Sequence, residues 1–120
     1  KSKDQPLTCF AGLYNYSPLP DPGTGELTGT FAVITRPGNP LLNRIHNGGP
    51  NSGRMPLVLT PSRAKKWLEP SLPEEEINRI AGFEYPDTDL EAWPVNTIRT
   101  RKPDDESVIT PQNYPGLSIP

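Results

Sequence analysis

Apolar residues in this chain come in short bursts cut by proline and glycine, with no long run. The first burst, Leu7 to Tyr14, is bounded by Pro6 and Pro18 and predicts a strand buried on both faces. Ser17 to Glu26 holds three prolines and two glycines, the chemistry of a loop. Thr28 to Thr35 is rich in β-branched residues and predicts a second strand, antiparallel to the first. Arg36-Pro37-Gly38 reads as a turn. At Asn39-Pro40 the period changes to helical, because an asparagine can cap the free N–H groups and proline suits the first helical position. Leu41, Leu42 and Ile45 form the apolar stripe. Asn47-Gly48-Gly49-Pro50 stops this helix after about two turns, which leaves His46 on or just after its last turn.

Arg54 to Leu59 predicts a third strand. Thr60-Pro61 repeats the cap-plus-proline start and opens a helix over Ser62 to Leu68. Ser71-Leu72-Pro73-Glu74 matches a capping box, whose helix ends at Gly82. Ala92 to Arg101 predicts a last strand, confined by Pro94 to an edge or bulge. Residues 102–120 hold four prolines and few large apolar groups, so they form an extended proline-rich tail that packs on a neighbour or stays disordered.

Composition narrows this further. The chain has 120 residues, enough for one domain. Only 32% are hydrophobic and 17 are proline, so the core is small and loops are many. The net charge of −2 excludes a strongly basic nucleic-acid coat but leaves room for a local patch around Arg36, Arg44, Arg54 and Arg63. The later part is acidic, at Glu74 to Glu76 and Asp104 to Glu106. No apolar run approaches the roughly 20 residues of a membrane span, so no membrane partner is expected. No signal peptide is visible, and a single cysteine suits a reducing compartment. A cytoplasmic location follows. The chain begins at Lys1 rather than Met, as a processed or truncated piece would.

His46 is the only histidine, and imidazole is the side chain best suited to proton transfer near neutral pH. The glycines behind it allow backbone to approach a ligand. Arg54 can grip a phosphate bidentately. The plain alternatives are a capping histidine and a surface arginine. Asn39 reads first as a helix cap and Thr35 as a strand end. Cys9, in an apolar strand, reads as an inert core residue. Phe10, Tyr14, Tyr16, Phe31 and Trp67 could stack bases, but their alternation points to core packing. One His and one Cys exclude the usual zinc sites, and no phosphate loop, serine elbow or dinucleotide fingerprint is present. No metal or cofactor is expected.

The order of these pieces carries more than any one of them. Phe10-Ala11-Gly12-Leu13-Tyr14 precedes Thr30-Phe31-Ala32-Val33-Ile34-Thr35. Asn39-Pro40-Leu41-Leu42, Ile45-His46, Arg54-Met55-Pro56-Leu57-Val58-Leu59, Trp67-Leu68 and Ala92-Trp93-Pro94-Val95-Asn96 follow. This succession resembles the second half of the SOS response-associated peptidase (SRAP) domain, from about Cys9 to Ile98. The resemblance implies an α+β fold, mostly β, with a barrel-like antiparallel sheet and a few short helices. Residues 1–101 would be the C-terminal half of that domain and 102–120 the tail. It also implies DNA repair: members of the family crosslink covalently to abasic sites in single-stranded DNA. Their N-terminal cysteine closes on the ring-opened sugar aldehyde as a thiazolidine. The family histidine falls on His46, with an implied role in proton transfer at the sugar. The family threonine falls on Thr35 and the motif arginine on Arg54. With Asn39, these are the expected DNA-binding residues.

Two departures qualify the match. Seven residues, Asn47 to Gly53, separate His46 from Arg54 where the family pattern usually has one. The family's first half, with its Met-Cys start and glutamate strand, has no counterpart. Cys9 is internal and Lys1 is not cysteine, so the chain is expected to carry the acid–base half of the site without its nucleophile. Expected partners are abasic single-stranded DNA and the missing N-terminal half, or another chain to cover open strand edges. Association with the nucleoid would follow when it acts on DNA. Two other functions compete: a non-catalytic single-stranded-DNA-binding fragment, and a proline-rich interaction module. The word "peptidase" leaves open whether the family removes its own initiating residue or cleaves other proteins.

Overall fold

Three strands form, and each is broken once by a buried or half-buried residue. In the computed structural model, which describes residues 1–97, 99, 102 and 104–117, Leu7 to Tyr14 yields two strands. They are β1 (Cys9–Phe10) and β2 (Gly12–Tyr16), divided at Ala11. The second strand divides at Ile34 into β3 (Gly29–Val33) and β4 (Thr35–Pro37). The third divides at Leu57 into β5 (Arg54–Pro56) and β6 (Val58–Leu59). The three dividing residues bond to one another in a ring. Ala11 N–H donates to the Leu57 carbonyl at 2.9 Å, Leu57 N–H to Ile34 at 2.8 Å, and Ile34 N–H to Ala11 at 3.0 Å.

This triangle sets the topology. Each strand pairs with one neighbour before its bend and with the other after it. The result is three two-stranded antiparallel ribbons, β1–β6, β2–β3 and β4–β5. Their registers set Phe10 opposite Val58, Tyr14 opposite Phe31, and Arg36 opposite Met55. The architecture is mixed α and β with small antiparallel sheets and short helices. No barrel closes among the described residues, because each strand's pairing is divided between two short partners.

Burial follows from the same geometry. Ala11, Leu57, Leu59 and Ile80 form one core at the triangle. Leu41, Met55, Val58, Tyr85 and Leu90 form a second. Beyond the triangle the β2–β3 ribbon projects with no layer over either face among the described residues, and every residue of it is exposed. The expectation of a first strand buried on both faces therefore holds only at Ala11. Cys9 is exposed rather than a core residue, since the two-residue β1 has β6 as its single strand neighbour among the described residues. Phe10, Tyr14, Tyr16 and Phe31 are likewise exposed instead of packed. Apolar pattern places a strand in a layer, and it does not supply the layer.

The helices start at their caps. Helix α1 (Pro40–Ile45) begins with Asn39 accepting from Leu42 N–H and with proline at its start. Helix α2 (Pro61–Trp67) begins with Thr60 accepting from Arg63 N–H at 3.4 Å. The Trp67 indole donates to the Gly12 carbonyl at 3.0 Å and ties α2 to the base of β2. Helix α3 (Glu74–Ala81) departs from the predicted capping box: Pro73 stands at the cap with no side-chain bond. The three glutamates of its first turn supply negative charge where the helix dipole favours it.

The predicted last strand does not form in residues 92–97, and its remainder at Ile98, Thr100 and Arg101 lies outside the described residues, as does the boundary at 101. Instead the tail folds back. The Trp93 indole donates to the Ile109 carbonyl at 2.9 Å and Gln112 N–H to the Pro94 carbonyl at 2.9 Å. The Tyr114 hydroxyl donates to Val95 at 3.1 Å. No helix among the described residues is long and apolar enough to cross a membrane.

Candidate functional site

The β4–β5 ribbon and the end of α1 bring Thr35, His46 and Arg54 together. Thr35 opens β4, and Arg54 opens β5 two register positions away, opposite Pro37. The Arg54 guanidinium reaches back along the ribbon. Its Nε donates to Thr35 Oγ1 at 3.0 Å, and its Nη2 donates to the same oxygen at 2.7 Å and to the Thr35 carbonyl at 3.0 Å. Among the described residues Arg54 Nη1 has no protein acceptor, so one edge of the fork still faces solvent. Thr35 Oγ1 acts as acceptor here, which leaves its own hydroxyl hydrogen to donate outward.

His46 closes α1 as its C-cap, with its N–H bonded to the Leu42 carbonyl. Its Nδ1 lies 3.0 Å from the Arg54 carbonyl. A carbonyl only accepts, so Nδ1 carries the hydrogen, and in the neutral ring Nε2 keeps the lone pair. All three side chains are exposed. The arrangement therefore offers an exposed imidazole held at Nδ1 by the Arg54 backbone, while the side chain of the same arginine grips the Thr35 hydroxyl. Such a set can bind a phosphate or sugar oxygen and exchange a proton with it.

The long connection from His46 to Arg54 does not separate them. Gly53, with φ of +71°, turns the chain back so that its N–H donates to the His46 carbonyl at 2.7 Å. The excursion is pinched at its base, and Arg54 emerges beside the ring.

Asn39 takes a different place. It is 1% exposed. Its Oδ1 caps Leu42 N–H at 3.0 Å, its Nδ2 donates to the Tyr85 carbonyl at 2.9 Å, and its backbone N–H points at Met55 Sδ. Both ends of the carboxamide are used inside the fold, fixing where α1 starts. Arg36, another member of the basic patch, is engaged by Glu84 at 3.0 Å and by the Gly82 carbonyl at 3.1 Å. Sequence reasoning passed over Asn43, and took Gly38 only as part of a turn and Gly53 only as the end of the connection. Their signal was a glycine on each side of the helix-loop unit, which composition alone reads as flexible loop.

Comparison with known proteins places this geometry in context. The sequence profile of the family described as SOS response associated peptidase (SRAP) matches residues 1–99. The abasic site processing protein YoqW of Bacillus subtilis (strain 168) is 32% identical over 98 residues, covering 82% of this chain and 40% of that protein. The abasic site processing protein YobE of the same organism is 31% identical over 99 residues, covering 82% and 41%. A crystal structure of a protein from Bacteroides thetaiotaomicron superposes with a TM-score of 0.81 at 30% identity, covering 93% of this chain and 46% of that one. The chain thus spans about two-fifths of the length of the curated relatives it matches.

Proposed function

The chain belongs to the SOS response associated peptidase family, and from that premise we propose that it supplies the acid–base and backbone-gripping part of a site that processes abasic single-stranded DNA. The observation that carries this reading is the contact of His46 Nδ1 with the Arg54 carbonyl, beside the Arg54–Thr35 fork. In this reading Arg54 and the Thr35 hydroxyl hold the phosphate or sugar at the lesion. His46 Nε2 accepts the proton of the sugar C1′ hydroxyl as the C1′–O4′ bond breaks. The imidazolium then returns a proton to O4′, which leaves the open-chain aldehyde. Amine and thiol of an N-terminal cysteine add to that aldehyde with loss of water to form the thiazolidine. Cys9 has no free α-amine, so this pair comes from outside these 120 residues. Asn39 serves as a positioning residue, because its carboxamide is spent on α1 and Tyr85.

The remainder of such a domain, in the same or another polypeptide, also has structural work to do. Tyr14 and Phe31 face each other across the β2–β3 ribbon while 79% and 83% exposed. Both faces of that ribbon await a covering layer.

The test uses a fluorescent single-stranded oligonucleotide with one abasic site. The chain should bind it with an affinity that falls as salt rises. Arg54→Ala should weaken binding and flatten that salt slope, while His46→Ala leaves most of the binding intact. Intact-mass spectra of the mixture should show no stable stoichiometric adduct. Salt-insensitive binding, or an adduct formed by the chain alone, would contradict the proposal.

A further inference from the structure

A ring of bonds surrounds the His46–Arg54 contact, and one side chain completes it. The Gly53 N–H donates to the His46 carbonyl at 2.7 Å, and the Gly38 N–H donates to the Gly53 carbonyl at 2.7 Å. The Asn43 Nδ2 then donates to the Gly38 carbonyl at 2.8 Å. Asn43 lies on α1, the same helix whose end carries His46, so the circuit closes on itself. Two backbone glycines and one carboxamide thus weld together the helix, the turn before Asn39 and the end of the excursion.

The two glycines fit this role sterically. A Cβ on Gly38 would lie 2.7 Å from Asn43 Oδ1, inside any permitted contact, and one on Gly53 would lie 3.3 Å from the same oxygen. Gly53 is also held at positive φ, where a side chain would be strained. The Asn43 carboxamide therefore lies close against both glycines, and a side chain at Gly38 would push it out of its present place. By contrast, a Cβ on Gly48 or Gly49, at the tip of the excursion, would meet nothing within 4 Å. The tip hangs free of the weld that holds its base.

We propose that Asn43 is a positioning residue for His46: by holding Gly38 and, through it, Gly53, it sets the Arg54 carbonyl against Nδ1 and so keeps the imidazole in the form whose Nε2 is free. Asn43 touches no group at the reacting centre; it acts through two backbone bonds. This rests on the reading of His46 as the proton-transfer group, but its structural content stands apart from any DNA chemistry. The weld also explains how this chain tolerates a seven-residue connection without losing the site.

The chain's single histidine makes the test direct, because one imidazole gives one set of long-range proton–nitrogen correlations. At a pH where the ring is neutral, the native chain should show the Nδ1–H tautomer as its dominant species. Asn43→Ala removes the donor and favours helix, so it should keep α1 while releasing the Gly38 carbonyl. Asn43→Asp is isosteric and replaces the donor with an acceptor. Both variants should convert the pattern to a mixture of tautomers, with at least a several-fold rise in the Nε2–H form. Asn51→Ala, at the tip, should leave the native pattern. Circular dichroism checks that each variant retains its fold, and Asn43→Asp carries the test should Asn43→Ala not fold. A native imidazole pattern in the folded Asn43 variants would overturn the proposal. So would a native chain already lacking the Nδ1–H form, or an equal change from Asn51→Ala. If instead the tautomer shifts as expected while DNA binding is absent, the functional reading fails and the positioning role stands.

Discussion

Removing the Asn39 side chain offers a quantitative check on what holds the site in place. Asn39→Ala deletes two bonds in a residue that is 1% exposed. Loss of the cap on Leu42 N–H costs about 1 kcal/mol. The Tyr85 carbonyl, stripped of its Nδ2 donor, stays buried without a partner at about 1–3 kcal/mol. The sum of about 2–4 kcal/mol is a large share of the roughly 5–15 kcal/mol that holds a domain together. At a urea slope of about 2 kcal/mol per molar, the unfolding midpoint should fall by about 1–2 M. Tryptophan fluorescence reports the transition through Trp67 and Trp93. Asn39→Ser keeps a capping oxygen and loses only the bond to Tyr85, so it should fall between native and Asn39→Ala. A midpoint change under about 0.2 M for Asn39→Ala would refute this ledger. If Asn39→Ser kept native stability but lost affinity for single-stranded DNA, Asn39 would be a contact rather than a positioning residue.

Other outcomes follow from the same structure. Leu57→Ala opens a cavity at the strand triangle and should cost about 2–5 kcal/mol by urea unfolding; a cost under about 1 kcal/mol would show that the triangle is not the structural centre. Trp67→Phe removes the indole bond to the Gly12 carbonyl and should cost about 1 kcal/mol, read from the same transition. The Thr24 and Gly23 backbone N–H groups hold the Asp21 carboxyl below the usual carboxylate range. Its folded value is depressed, so the turn's stabilisation is present above the unfolded value near pH 4 and fades as pH falls through the lower folded one. The Gly23 and Thr24 amide shifts should titrate together with a midpoint below that of a free aspartate.

Much of the local structure could be read directly. Asn39-Pro40 and Thr60-Pro61 state helix starts because the cap and the proline act within one turn, and both helices begin there. Thr35, His46 and Arg54 were legible as an ordered motif, and the fold unites them. What escaped were features set by distant partners. The strand breaks at Ala11, Ile34 and Leu57 arise from a three-way exchange of hydrogen bonds across 46 residues of sequence, invisible to local periodicity. The exposure of Phe31 follows from the β2–β3 ribbon having no covering layer among the described residues, which alternation does not encode. The capping box at Ser71 gave way to Pro73 and three glutamates. The seven-residue connection from His46 to Arg54 gives no local sign of its geometry, and Gly53 pinches it shut.

Whether His46, Thr35 and Arg54 together meet the abasic site is decided by titrating the isotopically labelled chain with two single-stranded oligonucleotides, one carrying a stable tetrahydrofuran abasic-site analogue and one with the base intact. The single imidazole resonance, the Arg54 guanidinium and the Thr35 amide should shift with the abasic strand, saturate together, and respond several-fold more weakly to the intact strand. Equal responses to both strands, or shifts confined to surfaces away from α1 and the β4–β5 ribbon, would contradict their joint contact with the abasic site.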